Sequence, residues 1–66
     1  MDIFLVTEGG KLVDWSNVEP LEFTNGAWRE YDGFCGELFE AKRISKEEAM
    51  RISSGVNPPT NSSHIS

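Results

Sequence analysis

Apolar residues along this chain come in short runs separated by glycine-bearing turns, the spacing of a small β-sheet rather than of long helices. Ile3–Val6 and Leu12–Trp15 flank Gly9-Gly10. A Gly-Gly pair between two β-prone runs predicts a two-residue hairpin of the primed type, in which both central residues take positive φ. That turn sets a register: Glu8 opposite Lys11, Thr7 opposite Leu12, Val6 opposite Val13, Leu5 opposite Asp14 and Phe4 opposite Trp15. Phe4, Val6, Val13 and Trp15 then share one face, and Ile3, Leu5 and Leu12 lean to the other. The first strand is apolar on both sides, the pattern of a central strand covered on both faces or of one face left for a partner.

Ser16–Pro20 reads as a connector, with Asn17 a turn former and Pro20 unable to donate to a ladder. Beyond it, Leu21–Thr24 and Ala27–Tyr31 flank Asn25-Gly26, the strongest short-range hairpin signal there is. The register of this hairpin pairs Phe23 with Trp28 and Glu22 with Arg29, an aromatic pair on one face and an ion pair on the other.

The stretch from Phe34 to Ile44 supports two readings. As a strand, it returns to the sheet after an Asp32-Gly33 turn, with Gly36 at a bulge or a close backbone approach. As a helix, it places Leu38, Ala41, Ala49, Ile52 and Val56 on one continuous stripe. Ser45, followed three residues later by Glu48, favours a strand and then a separate helix, because a capping box is a start signal. Ile44 then packs on Ala49 as a hydrophobic staple, Glu47 precedes Arg51 at i,i+4, and Gly55 offers a left-handed stop. From Asn57 onward the chain reads NPPTNSSHIS, polar and proline-led, and is expected to be a disordered tail. The expected fold is α+β. One domain over residues 1–56 forms a small antiparallel β-meander of about four strands with two tight hairpins, packed by one short C-terminal α-helix, and residues 57–66 form the tail.

Length and charge narrow the function classes. A chain of 66 residues makes one domain with a small core, which rarely supplies more than ~3–5 kcal/mol without a staple. A single cysteine, Cys35, excludes an internal disulfide and fits a reducing compartment. With Asp2 at its start and only Ile3–Val6 as an early apolar run, the chain shows no leader or span, so a cytoplasmic location is expected. Net charge is −5, unevenly spread: residues 1–40 hold nine acids against Lys11 and Arg29, a net −7, and residues 41–66 hold four cations against two acids, a net +2. An acidic two-thirds argues against direct nucleic-acid binding, which needs a basic face to replace phosphate counterions. It suits a basic partner, including the nucleic-acid groove of another protein.

Candidate chemistry is sparse. His64 is the sole histidine and falls in the tail, so it cannot serve in a rigid triad. Cys35 has no base near it in sequence and reads as a small apolar residue. Glu37 with Glu40, or Glu30 with Asp32, pair carboxylates arithmetically, but a catalytic pair needs a cleft that so small a domain hardly makes. Metal-ligand spacing, a P-loop and a dinucleotide fingerprint are all missing from the sequence. Asn61-Ser62-Ser63 matches a glycosylation acceptor without a secretion signal to accompany it. The expectation is therefore no enzyme, no cofactor and no metal.

Aromatic residues are the one constellation with functional promise. Phe4, Trp15, Phe23, Trp28, Tyr31, Phe34 and Phe39 exceed what one short helix obviously covers, and Trp and Tyr dominate binding hot spots. The leading expectation is a non-enzymatic protein-binding module that docks on a basic surface of a larger protein. By analogy of size and charge alone, it would be an inhibitor of the kind phages and mobile elements encode. Trp15, Trp28 and Tyr31 are its expected anchors, and Glu22, Glu30, Asp32 and Glu37 its steering and rim contacts. Neither nucleic acid nor membrane is an expected partner. The alternative is a self-associating structural domain, a homodimer that covers free strand edges.

Overall fold

Asn25 and Gly26, at φ 54° and 80°, make the turn between β3 (Leu21–Thr24) and β4 (Ala27–Glu30). This is the type I′ geometry that Asn-Gly favours. Phe23 pairs with Trp28 and Glu22 with Arg29, as the sequence predicts. The Phe23 and Trp28 rings lie 5.3 Å apart, tilted by 57°. The structure is a computed structural model and describes residues 3–15, 19–34 and 36–59.

The first hairpin differs from its expected register by one residue. β1 (Phe4–Val6) pairs with β2 (Leu12–Asp14) so that Val6 faces Leu12, Leu5 faces Val13 and Phe4 faces Asp14. The loop holds three residues, Glu8, Gly9 and Gly10, not the Gly-Gly pair alone. The Gly10 N–H donates to the Thr7 carbonyl at 2.9 Å, and the Thr7 N–H to the Lys11 carbonyl at 3.0 Å. Gly10 sits at φ 88°, the left-handed residue of a type I turn with a G1 bulge. Because that turn occupies the Thr7 carbonyl, the Lys11 N–H donates instead to Thr7 Oγ1 at 3.0 Å. Thr7 thereby satisfies the bulge and is itself buried.

A one-residue slip turns every β2 side chain over relative to β1. Phe4, Val6 and Leu12 therefore share a face with Phe23 and Trp28, whereas Leu5 and Val13 share the other. The first strand is covered on both sides. One cluster joins Phe4, Leu12 and Ala49, with Val6, Phe23, Trp28, Ile44 and Met50 packed around them. A second joins Leu5, Val13 and Leu38, with Ile3, Trp15, Tyr31 and Ala41 around them.

Residues 34–44 take neither of the two simple forms. A single helical turn, α1 (Gly36–Phe39), crosses to a short strand, β5 (Lys42–Ile44), which pairs antiparallel with β1. The sheet has five antiparallel strands in the order β4-β3-β2-β1-β5. The continuous helical stripe is overturned: Leu38 is buried beneath α1 on one face of the sheet and Ala49 beneath α2 on the other. Ile52 and Val56 are exposed.

Ser45 caps α2 (Lys46–Ile52), its Oγ accepting from the Glu48 N–H at 3.1 Å. The Glu48 carboxylate pairs with Arg51 at i,i+3, in place of the expected Glu47–Arg51 pair. At the other end the Gly55 N–H donates to the Met50 carbonyl at 2.8 Å and the Ser54 N–H to the Arg51 carbonyl at 3.3 Å. That is the Schellman pattern, and its left-handed C′ residue is Ser54, at φ 57°, one position before the expected Gly55. A Cβ in this conformation costs about 1 kcal/mol. Ser54→Gly is therefore expected to raise stability by up to about 1 kcal/mol, read as a higher urea midpoint at unchanged slope. An unchanged or lower midpoint would contradict the assignment.

The turn after α2 is tied back to the sheet. Buried Ser53 donates through Oγ to the Val56 carbonyl at 3.0 Å, and Trp28 Nε1 donates to the same oxygen at 2.9 Å. Residues 57–59 have no regular secondary structure. The rest of the expected tail, including His64, lies outside the described residues, as does Cys35.

Candidate functional site

The connection from β4 through α1 to β5 is the part of the chain least explained by core packing, and it begins at Tyr31. This side chain follows β4 on the face that holds Leu5 and Val13, packs against that cluster, and turns its hydroxyl toward the next segment. Two acceptors lie within reach: the Glu37 carboxylate at 2.5 Å and the Phe34 carbonyl at 3.1 Å. A phenol has one proton, and the closer, charged acceptor takes it. Lys11 Nζ meets the same Glu37 oxygen at 3.4 Å and sits 5.6 Å from the centre of the Tyr31 ring. Lys11, Tyr31 and Glu37 thus clasp α1 to the sheet.

This clasp lowers the Glu37 pKa. The Tyr31 hydroxyl bond is the largest cause; desolvation opposes it, and the hydrogen bond and charge of Lys11 add to it. An ionised, phenol-bonded carboxylate accepts hydrogen bonds and is poorly suited to deliver a proton near neutrality. Because the folded pKa lies below the unfolded one, the stabilising contribution is present above the ordinary value of 4.5 and fades as pH falls through the lowered folded value. Tyr31→Phe is expected to raise the Glu37 midpoint in an NMR titration. The gap in melting temperature between wild type and variant should also narrow as pH falls below that ordinary value. A gap that does not vary with pH would rule out the phenol as the cause.

α1 has one buried side chain, Leu38, and it is flanked by two outward-facing aromatic residues. Phe34 is 77% exposed and Phe39 80% exposed. The Phe34 ring lies against the backbone of Gly36, where a Cβ would push the ring aside, so the glycine permits this close approach. A small cleft beside α1 is lined by Glu8, Glu37 and Glu40. Among the described residues no group of three His, Cys, Asp or Glu is arranged to hold a metal ion, and no helix is long and apolar enough to cross a membrane.

The residues singled out from sequence divide between the two faces. Trp15 and Tyr31 pack around the cluster under α1, Glu22 stands opposite Arg29 on that face, and Glu37 belongs to α1 itself. Asp32 is exposed in the connection leading to α1. Trp28 and Glu30 lie on the other face: Trp28 shares the α2 face with Phe4, their rings 6.3 Å apart, and Glu30 stands opposite Leu21 on that same face, away from the α1 group. Trp28, packed between Phe4 and Phe23 with its Nε1 bonded to Val56, is occupied by the fold. The seven residues therefore do not form one surface.

Phe34 and Phe39 belong to the surplus aromatics of the sequence but not to the seven residues expected at the site. A signal for Phe39 exists. In a single helical turn, Leu38 and Phe39 are neighbours about 100° apart, so burial of one turns the other outward.

No family model matches the chain, and neither does any curated protein or solved structure.

Proposed function

We propose that this chain is a small acidic protein-binding module that docks on a basic surface of a larger protein, such as a nucleic-acid-binding groove, without catalysing a reaction. The observation that carries this reading is the exposure of Phe34 and Phe39 in a domain that otherwise packs its aromatic residues. Two large apolar rings held in water beside Glu37 and Glu40 have the composition of an interface, with aromatic contacts inside a charged rim. The net −7 of residues 1–40 supplies long-range attraction to a cationic partner.

Self-association has weaker support. The sheet's edges, β4 and β5, are short and carry Arg29, Glu30, Lys42 and Arg43 as exposed charges, which guard against edge pairing.

The test is capture from lysate on the immobilised full chain, washed at low and then high salt, beside a triple variant, Glu30→Lys, Asp32→Lys and Glu40→Lys. A larger basic protein retained at low salt by the wild type and lost by the variant is the expected result. Retention indifferent to both salt and charge reversal would sink the reading, and recovery of the chain alone would move self-association ahead of it.

A further inference from the structure

We propose that the α1 shoulder, with Phe34 and Phe39 as its apolar contacts, is the docking surface for a cationic segment of a partner protein. This rests on the protein-binding reading above and adds the place and the chemistry of contact. The Phe34 ring lies on Gly36 and its carbonyl is within 3.1 Å of the Tyr31 hydroxyl; Phe39 directly follows buried Leu38, which fixes its backbone position, and its ring projects into water. A fixed backbone under both rings limits the conformational freedom lost on binding to side-chain rotation, which favours their use as anchors.

Charge selects what covers them. Glu8, Glu37 and Glu40 line the cleft at this shoulder, where Lys11 is paired with Glu37; exposed Arg43, opposite Leu5 on the same sheet face, is a cation of the neighbouring strand and does not line the cleft. This field attracts cationic groups and repels nucleic acid and anionic lipid alike. A two-fold-related second copy would set Glu37 and Glu40 close to their own equivalents, each chain bringing a net −5. A basic protein segment meets neither objection. Its lysine or arginine stems pack on phenyl rings, and their charged heads lie over the ring face or reach the carboxylates.

The closing experiment titrates the full chain, followed by backbone amide NMR, with a Lys/Leu peptide, a Glu/Leu peptide of equal length and phosphatidylglycerol vesicles. The Lys/Leu peptide is expected to move amides over residues 34–40. The double variant Phe34→Ser, Phe39→Ser, whose melting temperature should match wild type, is expected to bind it about tenfold more weakly or worse. Equal affinity in the double variant, or shifts centred elsewhere, overturns the docking surface while leaving a basic partner to be sought on another face. Tighter binding to the Glu/Leu peptide or to vesicles overturns it as well. No response to the Lys/Leu peptide, together with salt-indifferent capture, removes this proposal and the broader reading together.

Discussion

Phe4→Ala is expected to leave about half of the chains unfolded at 25 °C. Phe4 is 2% exposed and lies in β1, where it pairs with Asp14 on one side and Ile44 on the other. Its ring joins Leu12 and Ala49 in the core under α2, and Trp28 packs from the side. Truncating a buried phenylalanine costs about 3–5 kcal/mol, the lost transfer energy plus the cavity left behind. A core in a domain of this size supplies about the same amount in total. The two quantities nearly cancel, so the folded fraction falls from nearly all to about half. Far-UV circular dichroism and a urea titration would show it; a cooperative transition at the wild-type midpoint would mean that β1 is not the centre of this core. Trp28 fluorescence gives a second readout, because its indole loses both the Phe4 neighbour and the Val56 hydrogen bond when α2 leaves the sheet.

The α+β class, both hairpins and the start of α2 are legible in the sequence because each rests on a local rule with one dominant solution. Asn25-Gly26 admits the type I′ turn and little else, and Ser45 with Glu48 marks a helix start wherever it occurs. Gly9-Gly10 is different. It serves a two-residue turn or the second half of a three-residue one equally well, and what decides between them is the hydroxyl of Thr7, which reaches the Lys11 N–H left over by the longer loop. Global packing agrees with that choice. In the observed register Leu12 lies between Val6 and Phe23 on the face covered by α2, whereas a slip would carry it to the other side. Residues 34–44 are ambiguous in sequence for a related reason: four helical residues and three strand residues are both too short to leave a periodicity. Trp15 and Trp28 have the composition of hot spots, and both side chains also pack against the core. Their size makes them useful to a small core for the same reason it makes them useful to an interface.

Leu38→Ala is expected to cost about 2–3 kcal/mol, the low end for a buried leucine, because the cavity opens under a single helical turn that can settle onto it. Leu38 is 4% exposed and touches the Leu5 and Val13 cluster. One turn of helix has no stability of its own, so α1 keeps its shape only while this side chain holds it to the sheet. The polar clasp of Lys11, Tyr31 and Glu37 is partly exposed and cannot replace that burial. Amide exchange should therefore speed up at residues 36–39 before it does in β1 or β2, and only part of that loss should return in Leu38→Met, whose volume is nearly conserved. The adjacent Phe39→Ala removes a larger side chain and is expected to change stability by less than about 0.5 kcal/mol, since that ring is mostly in water. Equal losses at the two positions would mean that Phe39 contributes to packing and would withdraw it from the docking surface. An exchange pattern in which α1 opens only with the whole sheet would show that the shoulder is part of the core's cooperative unit rather than a display pinned to it by one leucine.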